Sequence, residues 1–206
     1  MKDRARMDFI HALTSVATFM EAVENDFRKN GLSHHERIDD IKDCLQTLLN
    51  SLDYVGDLDL MLDHRLQNLQ DHLFDLAAAV QEKVEKRIVF SDPATEEMSR
   101  IFKESKAFLR IAVDFLRTDS ATQFRWLEKR QAECRKNCDE CAASHEKRLV
   151  EGICIPDASL VYLDMLHAFA GVHSQLVNVI RLCAGIQDAR AAKVGAVGIG
   201  ISSLSW

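Results

Sequence analysis

The chain has 206 residues, 47% of them hydrophobic, with only two prolines and eight glycines and a formal charge of −6. A chain of this size buries a real core. Its acidic balance argues against nucleic acid, whose binding needs a basic surface to displace counterions, and it contains no apolar run long enough to span a bilayer.

Apolar residues recur at steps of three and four, and no useful length alternates, which predicts an all-α protein. The first helix carries Phe9, Leu13, Val16, Met20, Val23 and Phe27 and should stop at Asn30-Gly31, where glycine tolerates a left-handed backbone. Ser33 and Glu36 have the spacing of a capping box, with His34 and His35 expected to be exposed beside it. The second helix follows with Ile38, Ile41, Leu45 and Leu48, and a turn is expected from Asn50 to Gly56. The long third helix begins near Asp59 and places Leu62, Leu66, Leu69, Leu73, Leu76, Val80 and Val84 on one buried face. It ends at Ile88-Val89-Phe90-Ser91, and Asp92-Pro93 opens the fourth, since proline at the first helical position has no amide to leave unpaired.

The fourth helix buries Met98, Ile101, Phe102, Phe108, Ile111 and Phe115. Thr118-Asp119-Ser120 breaks the pattern, and Ser120 with Gln123 can cap a fifth helix running to about Val150. After Gly152 to Pro156, the sixth helix uses Leu160, Leu163, Leu166, Phe169, Leu176 and Ile180 and stops near Gly185. Each half, residues 1–90 and 91–185, reads as three helices, and short connections make neighbours antiparallel. Residues 186–206 are rich in small side chains and form a C-terminal tail, expected to be flexible.

Cys134, Cys138 and Cys141 have the C-x3-C-x2-C spacing that holds an iron–sulfur cluster in radical enzymes. Those enzymes need strands after the motif, and every segment after Cys141 has helical spacing. The three thiols also continue the stripe of Phe124, Leu127, Gln131 and His145, where core residues belong, and a free cysteine packs as a small hydrophobe. The six cysteines are therefore read as reduced thiols in a cytoplasmic protein, and the N-terminus lacks the pattern of a secretory signal. His173 reads as a core histidine. No nucleophile–base pairing, glycine-rich phosphate loop or H-E-x-x-H motif points to an enzyme.

The third helix gathers Asp63, His64, Gln67, Asp71 and Asp75 opposite its leucine stripe. Side chains four apart stack along one helix face. Like charges there repel unless water, a basic partner or a cation relieves them. Oxygen ligands at this spacing suit hard or intermediate cations, with His64 adding a nitrogen. The candidate metal ligands are Asp71, Asp75, Gln67 and His64; the competing reading is a solvated face.

Leu66-Gln67-Asn68-Leu69-Gln70-Asp71, followed by Ile88-Val89-Phe90-Ser91, resembles the Leu-Glu-x-Ile-Gly-Asp helix and Phe-Ser turn of PhoU-like domains. Such domains form the cytoplasmic C-terminal region of bacterial sodium/phosphate cotransporter family proteins. Ser144 to Gly152 and Ser159 to Leu166 are similar to the family's His-x-x-Arg-Leu-x-x-Gly and Ser-x-x-x-Leu-Asp-x-Leu segments. Glu36, Ile38, Asp39 and Ile41 are similar to the start of its second helix.

The resemblance, spanning roughly residues 5–184, implies two pseudo-repeated three-helix bundles and a regulatory role in phosphate uptake. It also implies a divalent or iron cation at a Glu-x-x-x-Asp motif, which here is Gln67 and Asp71, with one charged ligand gone. The matching second-half region, Ala168 to Gln175, has no carboxylate and carries Gly171 and His173. The expected function is a non-enzymatic cytoplasmic regulatory or assembly module at the inner face of the membrane. Its partners would be a transporter's membrane domain, another helical protein or a second copy. The rival readings are a helical scaffold unrelated to phosphate and a cysteine-based metal or redox protein.

Overall fold

The computed structural model describes residues 3–51 and 57–185. They form six long helices: α1 (Asp3–Lys29), α2 (Ile38–Ser51), α3 (Asp57–Glu85), α4 (Asp92–Thr118), α5 (Ala121–Val150) and α6 (Pro156–Cys183). A short 3-10 helix, Ser33–Arg37, precedes α2. No strand occurs among the described residues, and no helix there is long and apolar enough to cross a membrane. The turn expected before Gly56 falls largely, and the tail 186–206 entirely, outside the described residues.

The stripes read from sequence bury as expected on α1 to α3: Phe9, Leu13, Val16, Met20 and Val23 meet Ile41, Leu45 and Leu48, then Leu62 to Val80. Helix α1 packs on α2, α3 and α4, while α6 packs on α3, α4 and α5. The broadest interface joins α3 to α6, which cross antiparallel, Arg65 lying by Gln175 and His72 by Gly171. Small residues are buried on both helices, Ala77 on α3 and Ala168 on α6. The α1–α4 contact runs antiparallel as well, from an Arg6–Asp119 ion pair at 3.7 Å to Phe27 against Phe102.

Several helix ends differ from the sequence reading. Asn30, not Gly31, takes the left-handed backbone (φ 55°), the amide side chain making that conformation tolerable. Ser33 does not cap a helix; its hydroxyl donates to Asp26 Oδ1 at 2.8 Å. His34 is only 1% exposed, the reverse of the expectation, because its backbone N–H and its Nδ1 both reach Asp26 Oδ2, at 2.7 and 2.8 Å. His35 is exposed, as expected. Ser120 occupies the cap position of α5 without a capping side-chain bond, and Gln123 instead accepts a hydrogen bond from Thr118.

On α6 the predicted stripe is buried at Leu166, Phe169, Leu176 and Ile180 but not in its first turns. Leu160 is 72% exposed and Leu163 is also exposed, while Val161, Tyr162 and Met165 are buried. The sixth helix has hydrophobic residues on more than one face, so spacing alone could not choose among them. What chooses is the approach of α3, which admits Gly171: a Cβ there would lie 2.4 Å from the His72 ring. Gly171→Ala should therefore force the ring away and cost about 1–3 kcal/mol of stability. Chemical denaturation checks this, and the double variant His72→Ala/Gly171→Ala should recover most of the loss.

Candidate functional site

The candidate ligands on α3 do not come together as one group. Asp63, Gln67 and Asp71 line a groove of about 370 Å³ between α2 and α3; His64 and Asp75 are not part of its wall. Gln67 Nε2 donates to Asp63 Oδ2 at 3.1 Å, and the His64 ring lies 3.3 Å from the Asn68 amide. The facing wall brings Lys42, whose ammonium stands 3.5 Å from Asp39 and 5.7 Å from the Phe74 ring centre. Among the described residues, no three or more His, Cys, Asp or Glu side chains are placed to hold a metal ion. The groove's donors do not fit a resident cation well: two carboxylates and an amide face a lysine that already supplies positive charge.

A second groove, of about 360 Å³, lies between α3, α5 and α6. His72 and His167 meet there edge to face with ring centres 5.6 Å apart, beside Arg135, Cys138, Asp139 and Gln175. Burial, then the neighbouring His167, pushes His72 below the usual imidazole range, against the opposing pull of Asp75 and Asp71. Sequence reading did not single out this pair, since the two residues are 95 positions apart and meet only because α3 and α6 cross.

The segments that carry the family resemblance in the second half converge on a largely buried polar cluster. Arg148 of α5 donates two hydrogen bonds to Glu97 of α4, at 2.9 and 2.7 Å, the paired geometry in which guanidinium and carboxylate bind most strongly. Tyr162 of α6 donates its hydroxyl to the same carboxylate. His145 stacks on Tyr162 with ring centres 4.5 Å apart and places Nε2 3.0 Å from Ser159 Oγ. Burial raises the Glu97 pKa, but the hydrogen bonds from Arg148 and Tyr162 outweigh it and hold the carboxyl below the usual range. Burial pushes the Tyr162 hydroxyl up, so it remains a donor at neutral pH. Sequence patterns flagged His145, Arg148 and Ser159 but missed Glu97, whose partner is 51 residues away.

The first half has a smaller counterpart around Asp26. Burial raises its pKa, yet hydrogen bonds from Ser33 and His34 lower it on balance. Burial keeps His34 neutral despite that carboxylate, so Nδ1 carries the proton it donates. Lys83 closes the same end of the bundle, donating to the Phe27 carbonyl at 3.2 Å and to Asn30 Oδ1 at 2.8 Å.

Cys134, Cys138 and Cys141 are buried on the expected face of α5, in line with Phe124, Leu127 and His145. The Cys138 thiol and burial raise the Cys134 pKa, and burial raises that of Cys141. Thiols held protonated in this way are poor nucleophiles and poor ligands. His173 is 2% exposed, stacks on Phe108 and puts Nε2 2.9 Å from Ser105 Oγ; burial pushes its pKa down to about 3.

No family model matches the chain, and no curated protein matches it either.

Two outcomes test this description. Glu97→Gln should cost about 1–3 kcal/mol by weakening a charge-assisted pair. Because the folded pKa of Glu97 lies below its ordinary 4.5, its contribution is present above that pH and is lost as pH falls through the folded value. Denaturation curves for Glu97→Gln should therefore converge on wild type in acid. Asp71→Ala should change stability by less than about 0.5 kcal/mol; a larger loss, with an ion released on elemental analysis, would show that the acidic groove holds a metal.

Proposed function

We propose that the chain is a PhoU-like regulatory or assembly domain linked to phosphate transport, acting by docking on another protein rather than by catalysis. The link to phosphate rests on the motif resemblance. The docking role is carried by one observation: large aliphatic side chains stand exposed together at one end of the bundle.

The turn between α3 and α4 presents Val89, and the α5–α6 connection presents Ile153 and Ile155, with Val150 and Leu160 on the adjoining helix turns. The two connections touch, Ser91 Oγ lying 3.5 Å from Cys154 Sγ. Val150 is 85% exposed. Side chains of this kind, grouped at one end, mark an interaction surface more often than scattered ones do. Two supports for the PhoU-like reading are the order of six helices and the way α1 meets α4 and α3 meets α6, first with first and third with third. The residues with chemical potential, Glu97, Arg148, His145 and Tyr162, are engaged with one another, as suits a scaffold for docking. A helical scaffold unrelated to phosphate remains the second reading, since the same exposed end serves it equally and fold alone does not fix function.

The test pairs a surface variant with a transport assay. Val150→Glu/Leu160→Glu should leave helicity and melting unchanged, because both side chains are solvated. Phosphate uptake should respond to external phosphate in cells with the wild-type chain, and the response should be lost both on deleting the gene and in this variant. Uptake indifferent to both changes would favour the unrelated scaffold, and light scattering would tell whether the same end pairs two copies.

A further inference from the structure

A third groove, of about 330 Å³, runs between α4 and α5 and differs in character from the other two. Phe108 and His173, stacked with ring centres 4.2 Å apart, contribute to its lining from the core side. Toward the α4–α5 turn the walls are apolar, formed by Ile111, Ala107 and Trp126. Trp126 is 43% exposed, and Arg130 lies over its ring at 4.2 Å. Further along stand Arg100 and Lys103.

The charges there are unevenly compensated. Glu133 is covered by Arg130 at 3.1 Å and Lys129 at 3.7 Å, and Glu104 accepts a hydrogen bond from the Asn137 amide at 3.2 Å. Among the described residues no hydrogen bond or ion pair engages Lys103, while Arg100 donates to the Cys141 sulfur at 3.5 Å and its charge also acts on Glu97. In a chain with a net charge of −6, this groove has an apolar end and a lining with three cations, Arg100, Lys103 and Arg130, against two carboxylates, Glu104 and Glu133, a local excess of positive charge. Its volume falls in the range of small-molecule sites, which combine an apolar lining with a few polar groups that set orientation.

We propose that this groove binds a small organic anion with a cyclic apolar body. The body lies against Ile111, Ala107 and Trp126, and the carboxylate or sulfonate faces Lys103 and Arg100. The complementary charge selects an anion, and a volume of this size suits one ring system rather than a helix of a partner protein. This site does not depend on the PhoU-like reading and would stand if the link to phosphate failed.

The probe is 2-naphthoate, titrated into the full chain by calorimetry and compared with the uncharged 2-naphthamide. One site per chain should saturate, and the amide should bind on the order of tenfold more weakly or not at all. Lys103→Glu should lower affinity on the order of tenfold without changing the melting temperature. Ile111→Trp, which fills the apolar end, should abolish binding, while Lys136→Glu on the solvent side of α5 should leave it unchanged. Absence of saturable binding would overturn the proposal, as would equal affinity for the amide or indifference to Lys103→Glu. Binding lost with His72→Ala but kept with Lys103→Glu would also overturn it, by moving the site to the groove between α3, α5 and α6.

Discussion

The close antiparallel crossing of α3 and α6 is the constraint on which the rest of the structure depends. Two helices approach closely only where a side chain is small, and here Gly171 supplies that place against α3. Gly171 leaves the room that the His72 ring takes up. The seam joins the first three helices to the last three and fixes the rotation of α6 about its own axis. That rotation buries Tyr162 and Met165 and turns Leu160 and Leu163 outward. The polar cluster, the His72–His167 pair and the exposed aliphatic end all follow from it.

The buried polar groups show how the fold handles charge. Glu97 and Arg148 lie mostly out of water, yet each finds a partner on another helix, and Tyr162 adds a third contact. Removing one member of such a pair is more damaging than replacing both, because the remaining group stays buried and uncompensated. Asp26 and His34 follow the same logic with less charge, since His34 is neutral and serves as a hydrogen-bond donor. Both arrangements cross from one element to the next near the same end of the bundle. They hold the connections there in place, and this orders the surface from which Val89, Ile153 and Ile155 project.

Function then has to be sought on surfaces and in grooves. Each groove lies where adjacent helices diverge, and the three differ in chemistry: acidic between α2 and α3, imidazole-bearing between α3, α5 and α6, and cationic at one end between α4 and α5. Cys134 and Cys141 contribute bulk instead of reactivity, since both are buried along α5 with their thiol pKa values raised. In the role proposed above, the apolar end would meet a partner and the groove between α4 and α5 would take a small anion.

Local periodicity was enough to determine the all-helical fold among the described residues, the order of six helices, and the buried faces of α1 to α5. Each of those faces is a single stripe at helical spacing, so a property of neighbouring residues decides it. The same local reasoning located Asp92-Pro93 and the core placement of Cys134, Cys138, Cys141 and His173. It failed where two or more solutions were locally equal, as at Leu160 and Leu163 in the first turns of α6, or where the decisive partner was remote in sequence. His34 looked exposed because nothing near it announces Asp26. Glu97 was not singled out because its partners, Arg148 and Tyr162, come from α5 and α6. Helical spacing is written in the sequence because each helix satisfies its own backbone. Tertiary structure alone decided which polar groups meet, because their free energy comes from partners on other helices.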